Sequence, residues 1–317
     1  MSDTRTTKNS EAASSLAAFE DGAALVEFPE KRVLRLTGKD PAGMLDAILT
    51  SDAPKEENLG AYALLLDPKG RMQTDLRAIK HGDDILAVVE AEGEEAAKSI
   101  LGRYAPFSRV KLEDTDFSVL GVYGSKAKEI LGLELAEHGS EEVEIGDTKV
   151  LAVGVSVPAS GCDLLVSEEN IRHVRGHLES LGASSASVEE YETLRVEAGV
   201  PRFGADMTPD NFPGEAGILD RAVNFRKGCY PGQETVARMH YRGQPNKNLH
   251  RFVVVEGKAP EPGTSILQNE KDVGKITSVA PLSVDGKTFA LGYLKRKADP
   301  EGNLRAGSAT LSHEGLC

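Results

Sequence analysis

The stretch from residue 62 to residue 79 carries the strongest local constraint on the fold. Residues 62–66 form an apolar run, and Asp67-Pro68-Lys69-Gly70 supplies the residue types of a tight turn. Beyond the turn, side chains alternate between two faces of a strand. Arg71, Gln73, Asp75 and Arg77 share one face, and Met72, Leu76 and Ala78 share the other. The pattern predicts a β-hairpin, followed by a third strand at residues 85–89.

Helices and strands are mixed through the first two thirds of the chain. Asp40 and Pro41 have the residue types of a helix N-cap and first turn. Ser187 and Glu190 form a capping-box pattern for a helix that ends before Gly199. Strands and helices do not alternate regularly, so the pattern predicts an α+β fold and not a doubly wound parallel sheet.

After Gly243 the pattern changes to short strands separated by Gly and Pro. Strands are predicted at residues 251–255, 265–267, 273–279 and 289–294, as in a small antiparallel barrel or sandwich. We therefore predict a flexible tail at residues 1–20, an α+β body at 21–245 with two subdomains, and a C-terminal β-barrel at 246–317.

Size and charge limit the classes of function. The chain has 317 residues, 40% of them hydrophobic, and a net charge of -13, which opposes general binding to nucleic-acid phosphates. No apolar run has the length of a membrane span, and the N-terminal residues lack a signal-peptide layout. Cys162, Cys229 and Cys317 are odd in number and far apart, so we expect a cytoplasmic protein without disulfides.

Cys229 lies in the most unusual local context of the three cysteines. Arg226 and Lys227 precede it, Gly228 and Gly232 flank it, and a helix is predicted from Gln233 to Tyr241. Nearby cations and a helix N-terminus both favour the thiolate form, which is the nucleophile and the metal ligand. The alternative is a buried, inert cysteine.

The same segment carries a family resemblance. Lys227-Gly228-Cys229-Tyr230-Pro231-Gly232-Gln233-Glu234 resembles the K-G-C-[FY]-x-G-Q-E signature of YgfZ-type folate-binding proteins, relatives of the glycine-cleavage T-protein. Shorter matches lie at residues 69–76, 194–199, 274–278 and 292–294, so the resemblance extends over residues 24–297. It implies a T-protein-like folate-binding body followed by a small antiparallel β-barrel.

The resemblance assigns roles to two carboxylates. Asp75 corresponds to an acid that faces the reactive region of a bound folate, where it would act as a general base or stabilise positive charge. On its own pattern, Asp75 beside Arg71 and Arg77 is equally an ordinary surface charge pair. Glu197 corresponds to a glutamate that accepts hydrogen bonds from the pterin ring, and is otherwise a solvated helix residue. Glu90 stands where T-proteins have asparagine, and an ionised glutamate cannot donate a hydrogen bond.

Other residues are weaker candidates. Lys227, Tyr230 and Arg238 are candidate folate contacts. Arg238 and Arg242 share a face of the helix after the signature, and they would meet the glutamate tail of a folate or are solvated. His173 and His177 are spaced for one helix face, but no third ligand is evident, so no metal site is predicted.

The resemblance implies a function in support of other enzymes. Such proteins use tetrahydrofolate and help to assemble or repair iron–sulfur clusters in client enzymes, including those that modify tRNA. We expect Cys229 to be the reactive thiol at the mouth of the folate cleft, and Glu197→Ala, unlike Cys229→Ala, to weaken folate binding. The alternatives are a folate-dependent aminomethyltransferase or demethylating enzyme, and a folate sensor in which Cys229 only packs.

Overall fold

The computed structural model describes residues 16–317, and its first part is built on a five-stranded antiparallel sheet. The elements are α1 (Ala17–Asp21), β1 (Ala24–Phe28), β2 (Lys31–Gly38), α2 (Pro41–Asp46), β3 (Gly60–Leu66), β4 (Met72–His81), β5 (Asp84–Glu90), α3 (Ala91–Tyr104), a 3₁₀ helix (Ala105–Ser108) and β6 (Val110–Asp114). The strand order is β3-β4-β5-β2-β6. Strands β3 and β4 pair as the predicted hairpin, and Asp40 caps α2, with Pro41 as its first residue.

A second sheet has six strands. It contains β1 and the following elements: β7 (Phe117–Tyr123), α4 (Ala127–Leu131), β8 (Ser140–Ile145), β9 (Thr148–Val155), β10 (Gly161–Ser167), α5 (Ile171–Ser180) and β11 (Ser184–Ala186). The strand order is β11-β1-β7-β10-β9-β8, with β1 and β11 parallel and the other pairs antiparallel.

The two sheets stack face to face between layers of helices. Leu76 and Ala78 of β4 pack toward Leu45 and Leu101, beside helices α2 and α3. Ile79, on the opposite face of β4, belongs to the apolar layer between the sheets. The outer face of the six-stranded sheet packs against α4 and α5. The interface between the sheets is therefore apolar around Ile79. Asp75 and Arg77, which precede Ile79 on the same face of β4, lie at the polar end of this interface.

The last residues of the N-terminal tail predicted at residues 1–20 are folded. Residues 1–15 lie outside the described residues. Residues 17–20 belong to helix α1, and Leu16 and Phe19 are buried in the layer between the sheets. Burial of these two side chains gives the segment the apolar contacts that a flexible tail lacks.

The last third contains three helices and a closed barrel. The elements are α6 (Val188–Glu197), α7 (Leu219–Ala222), α8 (Gln233–Arg242), β12 (Lys247–Glu256), β13 (Ser265–Gln268), β14 (Lys271–Val279), β15 (Thr288–Lys295), β16 (Leu304–Ala306) and β17 (Ala309–Leu316). Helix α6 has the predicted capping box. The barrel order is β12-β15-β14-β13-β16-β17, so the predicted α+β fold with a small antiparallel barrel is confirmed. Strands β16 and β17 were not predicted from the sequence. The division into domains at residue 245 stays a prediction.

Across the described residues, no helix is both long enough and apolar enough to cross a membrane.

Candidate functional site

A cleft of about 420 Å³ opens at the polar end of the interface between the sheets. Side-chain alternation on β4 places Asp75, Arg77 and Ile79 toward the second sheet, and the first two reach the cleft. Helix α6 and the loop after it form another wall. The charged and aromatic residues of the lining are Phe28, Glu30, Lys31, Tyr62, Asp75, Arg77, Glu90, His138, Tyr191, Glu192, Arg195, Arg202 and Arg221.

Asp75 is buried in this cleft, with only 9% of its surface exposed. Tyr62 Oη donates a hydrogen bond of 2.7 Å to Asp75 Oδ2. Burial raises the pKa of the Asp75 carboxyl, although the Tyr62 bond and the charges of Lys31 and Arg77 act in the opposite direction. The interpretation of Asp75 as part of a surface charge pair is therefore wrong. Arg71 lies elsewhere, where its Nη1 donates to the Asp210 carbonyl at 2.6 Å.

A second buried carboxylate, Asp163, neutralises two cations of the cleft, Lys31 and Arg77. Arg77 Nη1 lies 2.9 Å and Lys31 Nζ 3.5 Å from Asp163 Oδ2, and the Tyr123 phenol donates to Oδ1. Burial alone would raise the pKa of Asp163, but Lys31 and Arg77 hold it below its ordinary value. Arg77 is thus fixed by Asp163 through Nη1, and this bond leaves its Nε unused.

Some buried polar nitrogens of the cleft have no hydrogen-bond partner in the described residues of the protein. Within residues 16–317, Arg77 Nε, His138 Nδ1 and Arg202 Nε are buried and form no hydrogen bond with the protein. All three residues line the cleft. Burial lowers the pKa of His138 to about 4, so its ring is neutral at physiological pH. An unpartnered buried polar atom costs about 1–3 kcal/mol, so this cleft is suited to a ligand that supplies partners.

Glu90 and Arg202 face each other at one side of the cleft. Arg202 Nη1 lies 3.8 Å from Glu90 Oε2 and 3.3 Å from Glu92 Oε1. Arg202 Nε is 3.5 Å from Glu192 Oε1, within ion-pair range but without a hydrogen bond. Burial raises the pKa of Glu90 to about 7. Part of the Glu90 population is therefore protonated at neutral pH, and in that form the carboxyl group can donate a hydrogen bond.

Helix α6 presents Glu192 to the cleft, and not Glu197. Glu192 is held by Arg195, whose Nε lies 2.9 and 3.0 Å from its two oxygens. Glu197 is half-buried at the end of the helix and is not part of the cleft lining, and Arg251 Nη1 donates to its backbone carbonyl at 2.6 Å. Burial raises the pKa of Glu197 and the Arg251 charge opposes this. The proposed pterin contact at Glu197 therefore has no support in the geometry.

The signature loop lies apart from the cleft, with Cys229 exposed at its tip. The Lys227 side chain is 2% exposed. Its Nζ donates to the backbone carbonyls of Asp46, Leu49 and Ser51 at 2.9, 2.8 and 2.8 Å. Lys227 therefore fastens the loop to the end of α2 and the turns that follow it, and its ammonium is fully occupied there.

Tyr230 and Arg238 also lie outside the cleft lining. Tyr230 is 6% exposed and packs among apolar side chains that include Leu64 and Met72. Burial raises the pKa of Tyr230 to about 12. Arg238 is exposed on α8. Six residues were predicted for the site: Asp75, Glu197, Lys227, Cys229, Tyr230 and Arg238. Of these, only Asp75 lines the cleft, which it shares with Glu90.

The signature loop and the hairpin turn before β4 are in direct contact. Gly232 has φ +82°, and a Cβ on it would lie 2.6 Å from the Asp67 carbonyl oxygen and 2.7 Å from Gly70 Cα. Glycine is required here for both backbone angle and space. Gly228 has open space around it. The two matched sequence segments therefore meet through Gly70 and Gly232.

Several cleft residues were missed by the sequence analysis. Tyr62, His138, Glu192 and Arg202 are separated along the chain and belong to no matched motif. Arg77 was identifiable, since strand alternation puts it on the same face as Asp75. A larger cavity, of about 750 Å³, lies between residues 202–211 and the barrel and shares Glu192, Arg195 and Arg202 with the cleft.

No cluster of three or more His, Cys, Asp or Glu side chains in residues 16–317 is arranged to hold a metal ion. His173 Nε2 lies 2.8 Å from Asp147 Oδ1 in an exposed pair.

Comparisons with known proteins agree with the fold. The family described as "GCVT N-terminal domain" matches residues 4–227. The tRNA-modifying protein YgfZ of Cronobacter sakazakii is 28% identical over 276 residues, 84% of this chain and 83% of the relative. That of Yersinia enterocolitica is 27% identical over 302 residues, 92% and 90% of the two chains. The glycine cleavage system aminomethyltransferase T from Bartonella henselae has a TM-score of 0.82 at 19% identity, over 96% of this chain and 88% of that one, which shows a shared fold.

Proposed function

Because this chain belongs to the family of the GCVT N-terminal domain, we propose that it binds a reduced folate, tetrahydrofolate, in the cleft around Asp75. The relatives named YgfZ confirm the resemblance that the signature at residues 227–234 indicates. The observation that carries the proposal is the set of three unpartnered side-chain nitrogens in the cleft, on Arg77, His138 and Arg202.

The residues of the cleft fit a folate in size and chemistry. Its volume of about 420 Å³ lies within the roughly 300–1,000 Å³ of small-molecule sites. The pterin edge has N–H donors, for which the Asp75 carboxylate and the ionised form of Glu90 are acceptors. Its carbonyl oxygen and ring nitrogens accept from donors such as Arg77 Nε and Arg202 Nε. Phe28, Tyr62 and Tyr191 supply aromatic walls.

Tetrahydrofolate, when bound, would supply a carrier for one-carbon units. The chain's own contribution is to orient it and to hold a proton near it. Tyr62 fixes the carboxylate of Asp75 through its hydrogen bond. Because burial raises the pKa of Asp75, this carboxylate is a stronger base than an exposed aspartate, as a proton acceptor in the cleft requires.

Calorimetric titration with tetrahydrofolate tests the binding site. Asp75→Asn removes the charge at constant shape, and Arg202→Gln removes an unpartnered donor. We expect each to weaken binding about tenfold, the effect of losing a hydrogen bond to a charged group. Glu197→Gln and Cys229→Ser are the controls and should bind as the wild type does. Absence of binding to the wild type, or equal losses in Glu197→Gln and Asp75→Asn, would overturn the proposal.

We further propose that Cys229 supports assembly or repair of iron–sulfur clusters in client enzymes, tRNA-modifying ones among them. The names of the relatives support the link to tRNA modification. The exposure of Cys229 suits transfer of iron or sulfur, as cargo, to another protein. Attack on a one-carbon adduct in the cleft is less favoured, since Cys229 is not among the cleft-lining residues. We place this function in the cytoplasm, where the three free cysteines stay reduced.

A complementation experiment tests the role of the thiol. In cells that lack this protein, Cys229→Ser should fail to restore the activity of an iron–sulfur tRNA-modifying enzyme, whereas Cys162→Ser should restore it. Full restoration by Cys229→Ser would favour the alternative of a folate sensor. That alternative assumed a packed cysteine, and the exposed position of Cys229 gives it no support.

Glu90 favours a second candidate function, folate-dependent aminomethyl transfer or demethylation. An ionised Glu90 cannot replace an asparagine donor, which counts against this function. With a pKa of about 7, Glu90 supplies that donor in its protonated form. Incubation with tetrahydrofolate and a methylamine-loaded carrier protein distinguishes the candidates, because only a transferase forms methylene-folate with turnover.

A further inference from the structure

Helix α8 and the loop before it carry positive charge on an acidic chain. The protein has a net charge of -13, yet Arg226, Arg238 and Arg242 are exposed here, and none of the three forms an ion pair with another described residue. Arg238 and Arg242 are spaced i, i+4 on one face of the helix. Like charges at this spacing repel each other, so the pair does not stabilise the helix.

An aromatic cluster adjoins these arginines. Phe225 stacks on His240, with ring centroids 4.2 Å apart and planes 19° apart. Tyr241 meets both rings edge-on, at 5.7 Å from Phe225 and 4.7 Å from His240. Tyr241 is nevertheless 69% exposed. Its outer face is thus available to a partner.

A small apolar crevice lies under the same helix. It measures about 190 Å³, and Phe212, Pro213, Leu219, Val236, Met239 and Pro245 are among its lining residues. That volume is below the roughly 300 Å³ at which small-molecule sites begin. A single apolar side chain of another protein is the kind of occupant that this lining suits.

We propose that this α8 surface, comprising Arg226, Arg238, Tyr241, Arg242 and the crevice, docks an acidic segment of a partner protein that inserts one apolar side chain. Unpaired arginines attract carboxylates by charge complementarity. Arginine and tyrosine around an apolar pocket are also the residue types that dominate binding energy at protein interfaces. The docked partner lies beside the loop that carries Cys229.

A protein partner is favoured over a nucleic acid because the chain has a net charge of -13, which opposes binding of a long phosphate backbone. Within residues 16–317, the apolar crevice is also lined by no arginine or lysine that would hold a phosphate. The inference goes beyond the folate proposal and is independent of it, because none of the arginines of the α8 surface lines the cleft.

Fluorescence anisotropy with a labelled peptide tests the docking surface. The probe is a short peptide of glutamates around one central leucine, and it is titrated with the full chain. We expect binding that weakens about tenfold in Arg238→Glu/Arg242→Glu, and that weakens similarly when the peptide leucine is replaced by alanine. Arg238→Gln/Arg242→Gln, which removes charge without reversing it, should give a smaller loss.

A second double variant is the matched control. Arg103 and Arg172 are exposed on other helices, so Arg103→Glu/Arg172→Glu changes the net charge equally and should leave binding unchanged. If Arg103→Glu/Arg172→Glu weakened peptide binding as much as Arg238→Glu/Arg242→Glu, the net charge of the protein would explain the effect and the proposal would be overturned. Binding of oligouridylate in place of the peptide, or binding of neither probe, would also overturn it. Unchanged tetrahydrofolate titrations show that the variants are folded.

Discussion

The phenol of Tyr62 and the carboxylate of Asp75 are joined by a 2.7 Å hydrogen bond between neighbouring strands of one hairpin. Both side chains are turned toward the second sheet, where the cleft begins. The bond holds the carboxylate in one orientation and favours its charged form, against the effect of burial. The pairing of β3 with β4 thus orients the Asp75 carboxylate, on which the proposed folate site is centred.

Replacing Tyr62 by Phe should raise the pKa of Asp75 further, because the hydrogen bond that stabilises the carboxylate is lost. The folded-state pKa of Asp75 is already above its ordinary value of 3.8, so its contribution to stability is lost as pH rises above that value. In Tyr62→Phe the loss of stability with rising pH should extend to higher pH, and the free energy of unfolding should fall by about 2 kcal/mol. Urea unfolding across a pH series measures it.

Tyr191→Phe is the control for that experiment. Its phenol faces the same cleft but is not bonded to Asp75. The two phenylalanine variants should therefore differ, and identical pH profiles would show that the Tyr62 bond does not control the titration of Asp75.

Glu90→Gln should stabilise the protein increasingly as pH rises. The pKa of Glu90 is raised from 4.5 to about 7, so the folded state binds the proton more tightly than the unfolded state does. The contribution of Glu90 to the stability of the wild type is accordingly lost as pH rises from 4.5 to about 7. A neutral glutamine does not titrate and has no such loss. We expect the free energies of unfolding to diverge by roughly 3 kcal/mol above pH 7. Parallel pH profiles of wild type and variant would contradict the assignment.

Gly232→Ala should destabilise the chain by about 2 kcal/mol or more, since its left-handed backbone angle and its contacts with Asp67 and Gly70 leave no room for Cβ. Gly228→Ala is the matched control within the same loop, because a Cβ there meets no atom within 4 Å. Thermal unfolding compares them. Equal effects of the two substitutions would show that the contact between loop and hairpin turn is not the cause.

Much of the fold followed from local patterns, whereas most of the site did not. Asp75 and Arg77 were identifiable because strand alternation alone decides which face a side chain takes. The choice between Glu192 and Glu197 on α6 depends on tertiary packing. Tyr191 and Leu194 pack against the layer between the sheets, and this rotation turns Glu192 to the cleft. Side chains collected from separate elements, such as His138 and Arg202, leave no local signal.

The three cysteines should react very differently with iodoacetamide at neutral pH. Cys229 is exposed. Cys162 is buried, which raises the pKa of its thiol to about 11, and burial raises that of Cys317 to about 12. Peptide mass spectrometry should find Cys229 alkylated first in the folded chain, and all three alkylated in urea. Equally fast labelling of Cys162 would contradict the described packing.

The most direct test of the account is a crystal structure of the protein with tetrahydrofolate. We predict the pterin in the cleft at Asp75, with an acceptor atom of the ligand about 2.7–3.2 Å from Nε of Arg77 or Arg202. Folate bound instead in the larger cavity beside the barrel, with those nitrogens still without acceptors, would contradict the account.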